Sequence, residues 1–132
     1  MSGYTAGATF TLTAYQETST SIKYSTGWTK QAVSGAYGGF VKFATKAAKT
    51  ATFSFTGSQV AWVSTIASNR GSASVSLDGG TAATVSTHGT TIQPRTVVYI
   101  KTMTSGAHTL LVKVLGTAGH PRVDVDAFLV IK

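Results

Sequence analysis

Residues 51–80 read ATFSFTGSQVAWVSTIASNRGSASVSLDGG, and the alternation of side chains along this stretch decides the fold. Phe53 and Phe55 alternate with Thr52, Ser54 and Thr56, so an extended chain has one apolar face and one hydroxylated face. Thr56-Gly57-Ser58 punctuates the pattern as a tight turn, after which Val60, Trp62 and Ser64 alternate with Ala61, Val63 and Thr65. Beyond a loop at Ala67–Arg70, the residues Ala73, Val75 and Leu77 alternate with Ser72, Ser74 and Ser76. Asp78-Gly79-Gly80 supplies residues that tolerate positive φ, as a hairpin turn requires. The stretch is therefore expected to form three antiparallel strands, with Trp62 in the core.

Upstream, Ala8–Tyr15 alternates with Phe10, Leu12 and Ala14 on one face, and residues 1–7 read as a loosely held or expression-derived start. A polar turn at Gln16–Thr20 leads to a short strand around Ile22 and Tyr24. From Thr26 to Gly39, four glycines break any period and leave Trp28 and Tyr37 in irregular chain. Phe40–Thr45 is a strand. Downstream, strands are expected over Thr81–Thr87, Arg95–Thr102 and His108–Leu115, joined by a loop at His88–Pro94 and a turn at Met103–Ala107. After a loop at Gly116–Pro121, a closing strand Arg122–Ile131 places Val123, Val125, Ala127, Leu129 and Ile131 on one face and Asp124 and Asp126 on the other. No helix of normal length is supported and no repeat is present. About nine or ten short strands at regular turn spacing mean an all-β antiparallel sandwich or barrel.

The 132 residues fit one domain spanning 1–132, and a domain near this size buries roughly two thirds of its unfolded surface without staples. There is no cysteine, which suits an exported domain that does without disulfides and suits the cytosol equally. MSGYTAGATF lacks the basic start and long apolar run of a signal peptide, and apolar runs elsewhere fall far short of the ~20 residues of a membrane helix. The expectation is a domain from a longer exported chain, extracellular or on a cell surface or phage particle. Eleven Lys and Arg against four acids give a formal charge of +7, which favours anionic partners. The lysines are spread singly, so the electrostatic footprint of a nucleic-acid binder is missing, and isolated lysines also protect strand edges.

Phe53–Val63 (FSFTGSQVAWV), Arg70–Gly79 (RGSASVSLDG) and Val123–Phe128 (VDVDAF), with Tyr24–Trp28 (YSTGW) more loosely, resemble the β-jelly-roll modules of the galactose-binding-domain-like superfamily. Many of these are carbohydrate-binding modules of secreted bacterial proteins. The resemblance implies a jelly roll, ligand loops that gather at one end and combine an aromatic ring with Arg, Asn or Asp, and a structural calcium held by an N-terminal acid and an Asp of the last strand. Here Glu17 and Asp126 match that acidic pair. Four acids in the chain make a full oxygen cage hard to assemble, and a hydrogen-bonded anchor is the other reading of Asp126. No other cofactor is implied.

Counting strand crossings from Ala51 sorts the loops by end. Tight turns gather at one end, and the longer loops Ala67–Arg70, His88–Pro94 and Gly116–Pro121 at the other, where loops carry function. Asn69, Arg70, His88, Gln93, His120 and Arg122 form the expected polar set. Sugar recognition combines planar polar groups for vicinal hydroxyls with flat apolar rings; Asn69 and Arg70 suit the first role, Trp28 and Tyr37 the second. Each has a packing alternative: Trp28 as a core lid, Arg70 as a brace for its own loop, His88 and His120 as surface or turn residues without metal spacing.

Catalysis is not expected. No nucleophile elbow, cysteine or phosphate-binding glycine loop is present. Asp124 and Asp126 could approach the ~5–10 Å of a glycosidase pair, yet they sit in a closing strand. The leading expectation is a non-catalytic module that anchors a carrier protein or a catalytic domain of the same chain to a polysaccharide. Against it stand a structural or protein-interaction jelly roll and a binder of anionic polymer.

Overall fold

The computed structural model describes residues 10–132; the start at residues 1–7 and the beginning of the strand expected from Ala8 lie outside the described residues. Among the described residues ten strands form two antiparallel sheets, so the all-β sandwich is borne out. They are β1 (Leu12–Gln16), β2 (Ile22–Tyr24), β3 (Thr29–Ala32), β4 (Phe40–Ala44), β5 (Thr50–Ile66), β6 (Ser72–Leu77), β7 (Ala83–Ser86), β8 (Gln93–Val114), β9 (Val123–Val125) and β10 (Ala127–Ile131). One sheet runs β1-β10-β5-β8-β6-β7, with β2 also paired to β5, and the other runs β3-β4-β9. The irregular glycine-rich stretch holds β3 and a single 3-10 turn at Tyr37–Gly39.

Two expected turns are absent. β5 continues unbroken through Thr56-Gly57-Ser58, and β8 through Met103–Ala107. The two strands pair from Thr50↔Lys113 to Ile66↔Gln93, with a register shift between Gly57 and Gln59. Gly57 is there for close approach: a Cβ on it would lie 2.5 Å from Val130 Cγ1 and 2.7 Å from the Ile131 carbonyl. At this point β5 exchanges one neighbour for another, pairing with β2 through Ala51–Phe53 and with β10 through Gln59–Val63. A glycine that reads as a chain reversal in sequence is thus a bulge in a long ribbon.

The ends of this ribbon nevertheless meet. Arg70, just beyond β5, bridges Arg122, and the Ser72 N–H at the start of β6 donates to Thr117 Oγ1 at 3.0 Å. Thr87 donates both its N–H (2.9 Å) and its hydroxyl (2.7 Å) to the Gly71 carbonyl. The three long loops therefore share one end, as counted, because the ribbon bends where turns were expected.

The closing strand is divided. β9 belongs to the small sheet and β10 to the large one, and the chain crosses between them at Asp126. Asp124 and Asp126, expected on the face opposite the valines, are both fully buried. Trp62 is buried as expected and donates Nε1–H to the Asp124 carbonyl at 3.2 Å. Phe53 stacks on Phe128 (4.6 Å) beside Phe55 and Tyr15.

Candidate functional site

Asp124 is the hub of the loop end. It rides on β9, where pairing with β4 (Phe43↔Asp124) fixes its height. A lone carboxylate here would be costly, and two guanidiniums compensate it. Arg70 donates Nη2–H to Oδ2 at 2.8 Å, and Arg122 donates Nε–H to Oδ1 at 2.8 Å. Arg70 is only 4% exposed; its Nη1–H donates to Asn69 Oδ1 at 2.6 Å, while its buried Nε–H has no partner among the described residues. The Arg122 guanidinium sits over the Phe43 ring at 3.9 Å, a cation–π contact that helps hold it in place.

The loops close around this clamp. His120 Nδ1 meets the Arg70 carbonyl at 2.7 Å and therefore carries the proton there, and its ring lies 4.1 Å from that of His88. A side chain on Gly71 would run into the His120 carbonyl, so only glycine lets the loops approach so closely. The structure thus brings Asn69, Arg70, His88, His120 and Arg122 together. Gln93 lies at the adjoining end of the ribbon, opposite Ile66.

Arg70 and Arg122 end a cleft of about 510 Å³ whose walls are Gln31–Ser34, Ile92 and Pro94. Neither expected aromatic lines it. Trp28 is half-buried against the core and packs on Tyr24 at 5.2 Å, which is the lid reading. Tyr37 is half-buried too, and its ring is covered by the Arg95 guanidinium at 3.7 Å. The walls at 31–34 and the hub Asp124 were not among the residues expected at the site. An acid set in a valine run of a chain with few acids is the signal that could have found Asp124.

Glu17 and Asp126 form a second buried group. Glu17 is 3% exposed, with Lys30 Nζ at 3.8 Å, and Asp126 accepts the Tyr37 N–H at 3.0 Å. Burial, with the Glu17 charge adding to it, pushes the Asp126 carboxyl up to about 6. Burial and the same charge raise the Tyr24 phenol, whose hydroxyl donates to the Glu17 carbonyl at 2.8 Å. A buried carboxylate with a second one nearby offers two oxygen donors for a hard divalent cation; among the described residues no third His, Cys, Asp or Glu joins them, so backbone oxygens or water would complete a cage.

Among the described residues no histidine is arranged as a catalytic base. His108 is held at both nitrogens, by Asp78 Oδ2 and by the Thr104 carbonyl, each at 2.6 Å, and Asp124 is spent on the two arginines.

No protein-family model and no curated protein matches the sequence. Solved structures match in fold. The family 35 carbohydrate binding module from Clostridium thermocellum is similar at TM-score 0.64 and 15% identity, over 90% of this chain and 97% of that one. The CBM36-1 domain of a multidomain xylanase from the hindgut metagenome of Trinervitermes trinervoides is similar at TM-score 0.60 and 15% identity, over 92% and 97%. A family two carbohydrate esterase from Cellvibrio japonicus is similar at TM-score 0.68 and 13% identity over 93% of this chain, which spans only 34% of the esterase. The chain has the β-jelly-roll fold of these carbohydrate-binding modules.

Proposed function

We propose that this chain is a non-catalytic carbohydrate-binding module that holds a larger secreted or cell-surface protein on a glycan. The observation that carries the reading is the fold match over 97% of the family 35 carbohydrate binding module. The cleft at the loop end supports it: an apolar wall of Val33, Ile92 and Pro94 faces a floor of planar donors. Glu17 and Asp126 would hold a structural calcium, which when bound would neutralise two buried carboxylates beside the sandwich edge.

Electrophoresis through gels containing soluble polysaccharides tests the module. Retarded migration with at least one glycan is expected, and Ser34→Trp, which fills the cleft from an exposed wall, abolishes it. Migration unchanged by every glycan sinks the reading. It would favour instead a protein-contact role, for which one observation speaks. On the outer face of the large sheet Leu12, Val97 and Ile100 are 64%, 50% and 58% exposed, and Leu129 and Ile131 continue the apolar surface.

A further inference from the structure

We infer that the cleft selects a glycan by an acidic group, a carboxylate on the sugar, read by Arg122 with the Arg70 charge behind it; this rests on the module reading and narrows it to a ligand class. Three observations carry it. The first is a charge count. Two guanidiniums share the single carboxylate of Asp124, so the clamp itself carries one more positive than negative charge where water screens it poorly. Arg95, next to Pro94 in the chain, adds positive charge that the buried Asp126 carboxylate partly offsets.

The second is unused donor capacity. Arg122 spends Nε–H and Nη2–H on Asp124, and among the described residues its Nη1 has no hydrogen bond. Arg70 also lines the cleft, but Nη1 and Nη2 are spent on Asn69 and Asp124 and its Nε is shut off from solvent, so it contributes charge behind Arg122 and no free donor. Asp124 and the Phe43 ring already hold the guanidiniums in place, so little side-chain freedom remains to be lost on binding.

The third is what the cleft lacks. A neutral pyranose gains much of its affinity by laying its C–H face on an open aromatic ring. Among the described residues no aromatic lines this cleft, and the rings of Tyr37 and Phe43 are covered by Arg95 and Arg122. Ile92 at the mouth is 59% exposed and offers aliphatic contact only. Charge-assisted, planar hydrogen bonding is the recognition this surface provides, and it matches a carboxylate.

The test pairs acidic polysaccharides (polygalacturonate, alginate, glucuronoxylan) with their carboxyl-reduced forms in affinity gels and calorimetry. Dextran sulfate serves as a control for diffuse charge. The wild-type chain should bind at least one acidic polymer about ten-fold or more tighter than its reduced form, the size expected of a charge-assisted bond. Arg122→Gln should remove that margin, and so should Ile92→Glu, which places a like charge at an exposed position where folding is safe. Lys101→Gln with Lys113→Gln, on strand positions away from the cleft, should leave the margin in place. Equal binding of the reduced polymers overturns the inference and leaves the module standing. So does a loss in the lysine variant as large as in the cleft variants, or dextran sulfate binding that outlasts both cleft substitutions. Binding to no glycan, acidic or reduced, removes the module and this inference together.

Discussion

Asp124 shows how one residue ties folding to the site. Its carboxylate is buried and held by Arg70 and Arg122, while its carbonyl accepts Trp62 Nε1–H (3.2 Å) and the Ser64 hydroxyl (2.7 Å). Removing the charge leaves two guanidiniums facing each other in the interior. Asp124→Asn is therefore expected to lose about 3–5 kcal/mol, the scale for breaking a buried pair from one side. Urea denaturation monitored by tryptophan fluorescence reads this directly, and a loss under 1 kcal/mol would refute the clamp. Arg70→Ala carries a similar penalty for the same reason, so Arg122 and Ile92 are the better positions for separating binding from stability. The residue types at this site were legible in the sequence; their partnership was not. Arg70 has no marking in RGSASV that separates a ligand contact from a brace, and only the approach of β9 makes it the partner of Asp124.

Among the elements, the β6–β7 turn is tied to β8 by a titratable contact. Asp78 accepts the Thr109 N–H at 2.8 Å through Oδ1 and meets His108 Nδ1 at 2.6 Å through Oδ2. The hydrogen bond to Asp78 raises the His108 pKa from its usual 6.5, and the bond from His108 lowers Asp78 from its usual 3.8. A raised histidine stabilises fully below 6.5 and loses the contribution as pH climbs through its folded value. A lowered aspartate stabilises fully above 3.8 and loses the contribution as pH falls through its folded value. The tie is thus strongest between about pH 4 and 6.5. Melting curves of wild type and His108→Gln should differ most in that window and converge towards pH 8.5; a constant difference across the range would rule the tie out. At this scale the strand pattern was readable because side-chain alternation follows from extended backbone alone. Whether Gly57 reverses the chain or lets β10 press against β5 depends on a strand more than sixty positions away.

For the whole molecule, the question is what occupies the edge where Glu17 and Asp126 are buried together. They come from the end of β1 and from the crossing between the sheets, so a cation there would tie the start of the described chain to its end. Calcium at millimolar concentration is expected to raise the melting temperature at pH 7.5, since a ligand that binds only the folded state stabilises it by mass action. Glu17→Gln should abolish the rise while leaving the fold intact by circular dichroism. An equal rise in wild type and variant would place the cation elsewhere, and no rise in wild type would mean that Asp126 serves as a hydrogen-bonded anchor for the Tyr37 turn.

By itself the sequence determined the sandwich, because alternation of apolar and hydroxylated side chains is a local property that any extended strand must obey. It also determined that the long loops share an end, since the count of crossings survives whether a strand turns or bends. Only the tertiary structure decided which charges meet, which rings stay open and where the closing strand changes sheets. Those outcomes depend on contacts between distant segments, and local alternation carries no information about them.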